Sequence, residues 1–245
     1  MTATCKIKTK KMESELIDAL QNLADKQKAK FLQGFFKTGK GQYAEGDIFW
    51  GIKVPETRQI AKAYRHLPFS ELKKVIANPV HEVRLCGLMI LVEQFNKASK
   101  TERKNIVDFY LSNTQHINNW DLVDLSSYKI LGTYLLDKPR AILYTLAKST
   151  NLWEQRIAIV STLAFIRHQE FEDTLAISEM LLDHPHDLIH KAVGWMLREL
   201  SKRNEFAMID FIEKNYSKMP RTSLRYAIER LPEDKRKNIL QGIFE

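Results

Sequence analysis

One local pattern recurs along most of this chain and limits what it can fold into. Five segments each carry an anchor residue followed by an apolar stretch: HEVRLCG, LVDLSSY, WEQRIAI, LIHKAVG and SLRYAIE. The anchors are Arg84, Asp124, Arg156, Lys191 and Arg225, at steps of 40, 32, 35 and 34 residues. A period of this size predicts a solenoid of helical repeats, in which each repeat buries its apolar face only against its neighbours.

Paired helical patterns fill the chain beyond Leu67, and proline-containing breakers stand between them at Asn78-Pro79, Lys138-Pro139, His184-Pro185 and Met219-Pro220. No stretch alternates apolar and polar residues as a strand would, so the fold class is predicted to be all α. We expect residues 12–245 to form one helical-repeat domain with a concave basic groove. Residues 1–11 carry Lys6, Lys8, Lys10 and Lys11 without periodicity, which indicates a mobile basic arm, either a solvated tail or a phosphate contact.

Asp124 is the one acidic anchor in a row of cations. If equivalent anchors face the same way, a single carboxylate lies in a positively charged groove. The alternative interpretation is an ordinary salt bridge from Asp124 to Arg156 or Lys191.

The helix that contains Asp124 also carries Trp120 four residues earlier, and this spacing places both on one face. Asn118 or Asn119 can cap the helix start, and Asp121 suits the positive end of the helix dipole. We therefore assign Asp121 a structural role.

The segment from Asp187 to Arg203 has two faces. One is an apolar stripe of the kind that packs against a neighbouring repeat. The other carries Lys191, Trp195, Arg198 and Lys202, at spacings of four, three and four. Trp195 either belongs to a binding surface or covers the edge of the next helix.

Arg156 lies one turn after Trp153, which can simply be a core residue. An arginine at a groove-facing anchor can hold a phosphate through two parallel hydrogen bonds. Arg84 and Arg225 would extend this track of phosphate contacts at either end.

The charge of the chain favours a polyanionic partner without specifying it. Lys and Arg number 38 against 30 Asp and Glu, which gives a formal net charge of +8. A well-solvated basic surface explains the same number. The two cysteines, Cys5 and Cys86, do not suggest a disulfide framework, and neither a secretory leader nor a membrane span is apparent, so we expect a cytoplasmic protein.

Familiar catalytic motifs are missing from the sequence. It contains no Walker loop, no GxSxG and no nucleophilic cysteine with a matching histidine, which argues against nucleotide hydrolysis and acyl transfer. His186 and His190, with Asp183 and Asp187 nearby, have a spacing that can bind zinc. A Pro-containing helix start explains them as well, and we expect no metal or other cofactor.

A basic groove with two tryptophans and one carboxylate suits DNA that carries an N-alkylated purine. Phosphates supply the negative track, and alkylation of a ring nitrogen puts a positive charge on the base, which indole faces attract. Cleavage of the glycosidic bond builds positive charge on the sugar, and a fixed carboxylate such as Asp124 would stabilise it. The cationic base leaves as a neutral molecule, so no general acid is required.

At these residues the chain resembles the AlkD-like DNA alkylation repair glycosylases, which are built from HEAT-like repeats. The resemblance runs from FWGIKVPETR to the C-terminus and is densest in NWDLVD, NLWEQRIAI and KAVGWMLRELSK. It implies that Trp120 and Trp195 are active-site aromatics, Asp124 the catalytic aspartate and Arg156 an active-site arginine. It also implies excision of 3-methyladenine and 7-methylguanine without a metal and without rotation of the base into a pocket. Asn119 stands where related sequences often have a second tryptophan.

From the residues and the resemblance together we expect a monofunctional DNA-alkylpurine glycosylase that acts as a monomer on double-stranded DNA containing alkylated bases. Its phosphate contacts would be Arg84, Lys191, Arg198, Lys202 and Arg225. We expect no membrane association and no obligate protein partner. The alternatives are a non-catalytic binder of damaged or branched DNA and a helical scaffold for an acidic protein.

Overall fold

The computed structural model describes residues 11–244, and the regular elements in that range are all helical. In addition, Ile48 and Val80 form an isolated parallel β-bridge. The chain consists of two compact units, one that ends at Leu122 and one that begins at Val123. The prediction of an all-α helical-repeat fold is confirmed, whereas a single domain over residues 12–245 stays a prediction. The proposed arm lies outside the described residues, except for Lys11.

The first unit is built around one long, buried helix. Its helices are α1 (Met12–Gln21), α2 (Lys26–Phe35), α3 (Val54–Ala63), α4 (Phe69–Ile76), α5 (His81–Lys97) and α6 (Lys100–Leu111), and a short 3-10 turn follows at Thr114–His116. Helix α5 packs against α3 and α4, and most of its residues are buried. Pro55 is the second residue of α3, in the first turn, where a proline leaves no helical hydrogen bond unmade.

Helix α7 (Trp120–Ser127) carries the carboxylate anchor of the repeat pattern. The sequence pattern predicts one continuous helix through residue 136, but α7 ends at Ser127 and is followed by a π-helical turn at Tyr128–Gly132. A Cβ on Gly132 would lie 2.2 Å from the carbonyl oxygen of Ser161. The close approach of these two backbones therefore requires glycine at this point.

The second unit contains eight further α-helices among the described residues. They are α8 (Ala141–Ala147), α9 (Leu152–Ser161), α10 (Leu163–Arg167), α11 (Glu172–Met180), α12 (Asp187–Ser201), α13 (Glu205–Asn215), α14 (Arg221–Ala227) and α15 (Glu233–Leu240). Helix α12 packs against α9, α13 and α14.

The apolar stripe of α12 is buried as predicted, at Ile189, Ala192, Val193, Met196, Leu197 and Leu200. Leu188, which precedes these residues on α12, is only half-buried. Within residues 11–244, no helix is both long enough and apolar enough to cross a membrane.

Candidate active site

Asp124 and Arg156 form a two-point ion pair in the second unit. Arg156 Nε lies 2.9 Å from Asp124 Oδ1, and Arg156 Nη2 lies 2.8 Å from Oδ2. Arg156 Nη1 donates to the carbonyl oxygen of Leu188 at 2.5 Å. The Arg156 side chain is 6% exposed and the Asp124 side chain 20%. The buried guanidinium of Arg156 thus fixes the orientation of the Asp124 carboxylate, which remains partly exposed to solvent.

This ion pair was one of the alternatives that the sequence left open for Asp124. Two of the guanidinium nitrogens of Arg156 that were predicted to bind a phosphate donate instead to the carboxylate of Asp124. Arg156 therefore orients Asp124 in the free protein, and the proposed phosphate contact of Arg156 stays a prediction.

Local sequence explains how the arginine is fixed. The side chain of Asn151 caps α9 by accepting a hydrogen bond from the backbone N–H of Trp153 at 2.9 Å. Trp153 is buried, as its core interpretation predicts. Arg156 follows one turn later, so a well-capped helix start and a buried indole set the direction of its side chain.

His184, His186 and His190 stabilise the start of α12, where the carbonyl group of Leu188 accepts the hydrogen bond from Arg156. His186 Nδ1 accepts the backbone N–H of Leu188 at 3.1 Å, and His190 Nε2 contacts the carbonyl oxygen of His184. Burial lowers the pKa of His186, which favours the neutral ring that can accept this bond. In the part of the chain described, no group of three or more His, Cys, Asp or Glu side chains is arranged to hold a metal ion. These histidines serve as helix-start residues.

Trp195 lies half-buried on α12, two turns after Leu188. The cations of the same helix face have acidic partners. Lys191 pairs with Asp187 at 2.7 Å, Lys202 with Glu199 at 2.6 Å, and Arg198 with Glu229. Lys191 and Lys202 are 39% and 46% exposed, and such surface pairs are weak enough to exchange for phosphates. Arg225 is exposed on α14.

Arg84 does not lie where the repeat alignment suggested. It is 4% exposed in the first unit, where Nη2 contacts Asp47 Oδ1 at 2.7 Å and Nη1 donates to the carbonyl oxygens of Asn78 and Pro79. The Arg84 side chain, near the start of α5, is buried and therefore cannot reach a DNA phosphate. The predicted phosphate contact of Arg84 is wrong. Arg84 is a structural residue here.

A buried polar network in the first unit fixes the start of α7. His81 is 2% exposed, and its ring lies between Asp121 Oδ2, at 2.8 Å from Nε2, and Asp47 Oδ2, at 3.4 Å from Nδ1. Asn119 Oδ1 accepts the backbone N–H of Trp120 at 2.8 Å. The structural role assigned to Asp121 is present, but its partner is a histidine that sequence reasoning did not identify.

Trp120 lies half-buried among aromatic residues of the first unit. Its ring stacks on Phe36 with centroids 5.3 Å apart and meets the edge of Phe35 at 6.2 Å. Its indole N–H donates to the Tyr43 hydroxyl at 3.3 Å. No periodic signal in the sequence connects Phe35, Phe36 or Tyr43 with Trp120, because these contacts join distant segments.

Known proteins provide an independent comparison. A family model described as "DNA alkylation repair enzyme" matches residues 16–231. A solved structure described as a "predicted DNA alkylation repair enzyme" from Enterococcus faecalis is similar in fold, with a TM-score of 0.68 at 17% identity over 86% of this chain and 97% of that chain. No curated protein matches the sequence. The family match covers most of the chain, and the chain belongs to the DNA alkylation repair enzyme family.

Proposed function

We propose that this protein is a DNA glycosylase that removes cationic N3- and N7-alkylated purines, such as 3-methyladenine and 7-methylguanine, from duplex DNA and leaves an abasic site. The observation that carries the proposal is the carboxylate of Asp124, which is fixed by two hydrogen bonds from Arg156 and remains one-fifth exposed. Membership in the DNA alkylation repair family supports a role in DNA repair.

The chemistry requires one well-placed negative charge. The bond between the sugar C1′ and the purine nitrogen breaks, its electron pair neutralises the alkylated base, and positive charge develops on the sugar ring. Asp124 stabilises that charge, and water then adds to C1′ and releases a proton to solvent or to the carboxylate. Because the base leaves neutral, a second carboxylate acting as general acid is unnecessary.

Arg156 is the positioning residue of this scheme. Its planar guanidinium binds both carboxylate oxygens, so the carboxylate has one orientation before substrate arrives. A carboxylate that does not reorganise during the reaction is worth more to the transition state than a mobile one. The hydrogen bond from Arg156 to the carbonyl oxygen of Leu188 anchors this fork to α12.

Trp120 and Trp195 are assigned to the alkylated nucleotide. Trp120 precedes Asp124 by one helical turn on α7, and Trp195 is half-buried on α12. The face of an indole attracts a cation by ~0.5–2 kcal/mol, depending on desolvation. A cationic purine gains this attraction and an ordinary purine does not, which gives a preference for alkylated bases.

Phosphate contacts are assigned to Lys191, Arg198, Lys202 and Arg225. The first three exchange intramolecular acidic partners for phosphates, and Arg225 is already exposed. These contacts hold the DNA backbone without reading its sequence.

The direct test is an incubation of the protein with duplex DNA that contains one 7-methylguanine, followed by heating in alkali. We expect strand cleavage at the lesion after alkali, free 7-methylguanine in the supernatant, the same result in EDTA, and no cleavage of undamaged DNA. Binding without release of the base would instead favour the non-catalytic DNA binder.

The scaffold alternative is tested by the dependence of duplex binding on salt. Phosphate contacts predict that affinity falls steeply with salt, with a slope of about −0.9 per phosphate neutralised. Duplex affinity that is weak at low salt and independent of it would favour a protein partner.

A further inference from the structure

Helix α2 of the first unit has an unusual surface. None of its residues is buried, and its two phenylalanines, Phe31 and Phe35, are 68% and 56% exposed. Exposing a phenylalanine instead of burying it forfeits about 1.5–3 kcal/mol. Two such residues on one short helix indicate a contact surface.

The two exposed rings continue the aromatic surroundings of Trp120. Phe31 and Phe35 lie four residues apart, with centroids 6.3 Å apart and planes inclined by 16°. Phe35 in turn meets Trp120 at 6.2 Å. We call Phe31, Phe35 and Trp120 the aromatic ledge. Its inner end, Trp120, is supported by Phe36 and Tyr43, and its outer end is in solvent.

The ledge residues Phe31 and Phe35 lie in a lysine-rich segment of the chain. Residues 25–45 contain five lysines and two acids, Asp25 and Glu45. Backbone amides engage both acids: Asp25 accepts from the N–H groups of Gln27 and Lys28, and Glu45 from that of Gly41. The lysines are Lys26, Lys28, Lys30, Lys37 and Lys40, and all except Lys28 are exposed.

Exposed aromatic rings among lysines are complementary to a nucleic-acid strand whose bases are accessible. Stacking of a base on an aromatic side chain contributes about 1–3 kcal/mol, and nearby lysines bind the flanking phosphates. The bases of an intact duplex are stacked on each other, so their faces cannot reach such rings. Only a base that has left the stack can use the outer end of the ledge.

We propose that the aromatic ledge binds an unpaired base of duplex DNA by stacking, while the lysines of residues 26–40 hold the adjoining phosphates. This proposal rests on the proposed function only in taking DNA as the substrate. It adds that the protein distinguishes locally distorted duplexes from fully paired ones by means of Phe31 and Phe35, which have no assigned role in the glycosidic step, whereas Trp120 belongs to both surfaces.

The test compares two 25-base-pair duplexes by fluorescence anisotropy, one fully paired and one with a single bulged 2-aminopurine. Phe31→Ser is the main variant, because its ring is exposed and lies at the outer end of the ledge. Phe206→Ser is the matched control, since Phe206 is 80% exposed on α13 in the second unit. Circular dichroism establishes that both variants are folded.

We expect the wild-type protein to bind the bulged duplex more tightly than the paired one and to quench 2-aminopurine fluorescence. Phe31→Ser should weaken binding of the bulged duplex about 10-fold, which corresponds to ~1.4 kcal/mol, and leave paired-duplex affinity unchanged. Phe206→Ser should change neither. Lys30→Gln should weaken binding of both duplexes and lower the salt slope by about 1.

Equal wild-type affinity for the two duplexes, or wild-type affinity of Phe31→Ser for the bulged one, would overturn the proposal. A decrease in self-association of Phe31→Ser with no change in DNA binding would also overturn it, in favour of a contact between copies of the chain. Excision of 7-methylguanine from the paired duplex by the wild-type protein is measured separately, so failure of the ledge and failure of the glycosylase function give different results.

Discussion

At the scale of single residues, the candidate site depends on how one carboxylate is held. Asp124 is accessible to solvent, yet both of its oxygens accept hydrogen bonds from Arg156, which is almost completely buried. A lysine at position 156 could keep the charge but not the two parallel hydrogen bonds. The geometry of the pair, rather than the charge alone, should therefore control the rate.

Arg156→Lys tests that geometry. We expect the single-turnover rate of 7-methylguanine excision to fall about 100-fold, since a small misplacement of a catalytic group costs this much, while duplex affinity changes little. Arg230→Lys, at an exposed arginine, is the control and should excise normally. A wild-type rate for Arg156→Lys would mean that orientation of Asp124 is unimportant.

His81 is the second residue that fixes α7, and it titrates abnormally. Burial lowers its pKa, but the nearby carboxylates of Asp121 and Asp47 outweigh burial and the repulsion from Arg84, and they raise the pKa to about 9. His81 and Arg84 in turn hold the pKa of Asp47 below its usual value, against the effect of burial. A charged imidazole between two acids is the form that the fold favours.

A raised pKa in the folded state makes stability depend on pH in a defined direction. The contribution of His81 is fully present below pH 6.5 and is lost as pH rises through about 9. It is on the order of 3 kcal/mol. Urea unfolding at pH 7 and pH 10 should show a larger loss of stability for the wild-type protein than for His81→Gln. Equal losses in the two proteins would contradict this assignment.

Sequence reasoning reached some of these residues and not others. Asp124 and Arg156 stand at equivalent repeat anchors, so periodicity alone brought them to attention. Arg84 occupies the same register but points into the first unit, because a buried acid, Asp47, lies there to pair with it. Asp47 belongs to a glycine-rich turn without periodicity, and no sequence pattern indicates which helix such a turn contacts.

At the scale of elements, α12 connects the repeat core with the candidate site. It carries Trp195 and the carbonyl group of Leu188 that receives Arg156, and it packs closely against α14. A Cβ on Gly194 would lie 2.5 Å from both the carbonyl oxygen of Ser223 and the Cβ of Tyr226. The two helices can approach this closely only because residue 194 is glycine.

A pair of glycine substitutions tests this packing. Gly194→Ala should lower the free energy of unfolding by about 1–3 kcal/mol, because overpacking displaces α14. Gly34→Ala is the matched control, since a Cβ there meets nothing within 4 Å. It should leave stability unchanged or raise it by up to about 1 kcal/mol, because alanine favours helix. Thermal unfolding measures both, and a neutral Gly194→Ala would contradict the close contact.

Helix boundaries divide into predictable and unpredictable ones. The proline at position 185 marked the start of α12, because a proline disfavours helical backbone at the residue before it. The end of α7 at Ser127 had no local signal, because the following π turn accompanies a backbone contact between Gly132 and Ser161. Contacts of this kind depend on tertiary packing, which periodicity does not encode.

At the scale of the whole molecule, the repeat period was sufficient to predict an all-α helical-repeat fold, and the helices of the described residues confirm it. The net charge of +8 fits a DNA-binding role, although several of the cations expected to contact phosphate have acidic partners in this structure. The number of cations that can bind DNA phosphates therefore depends on how many of these ion pairs dissociate. Net charge in the sequence cannot show that pairing.

The most direct measurement is the single-turnover rate of 7-methylguanine release by Asp124→Asn, with excess protein over duplex DNA. The asparagine keeps the size of the side chain and removes its charge. The account predicts a rate at least about 100-fold below wild type, with duplex affinity equal or higher. Release at the wild-type rate would contradict the assignment of the chemistry to Asp124.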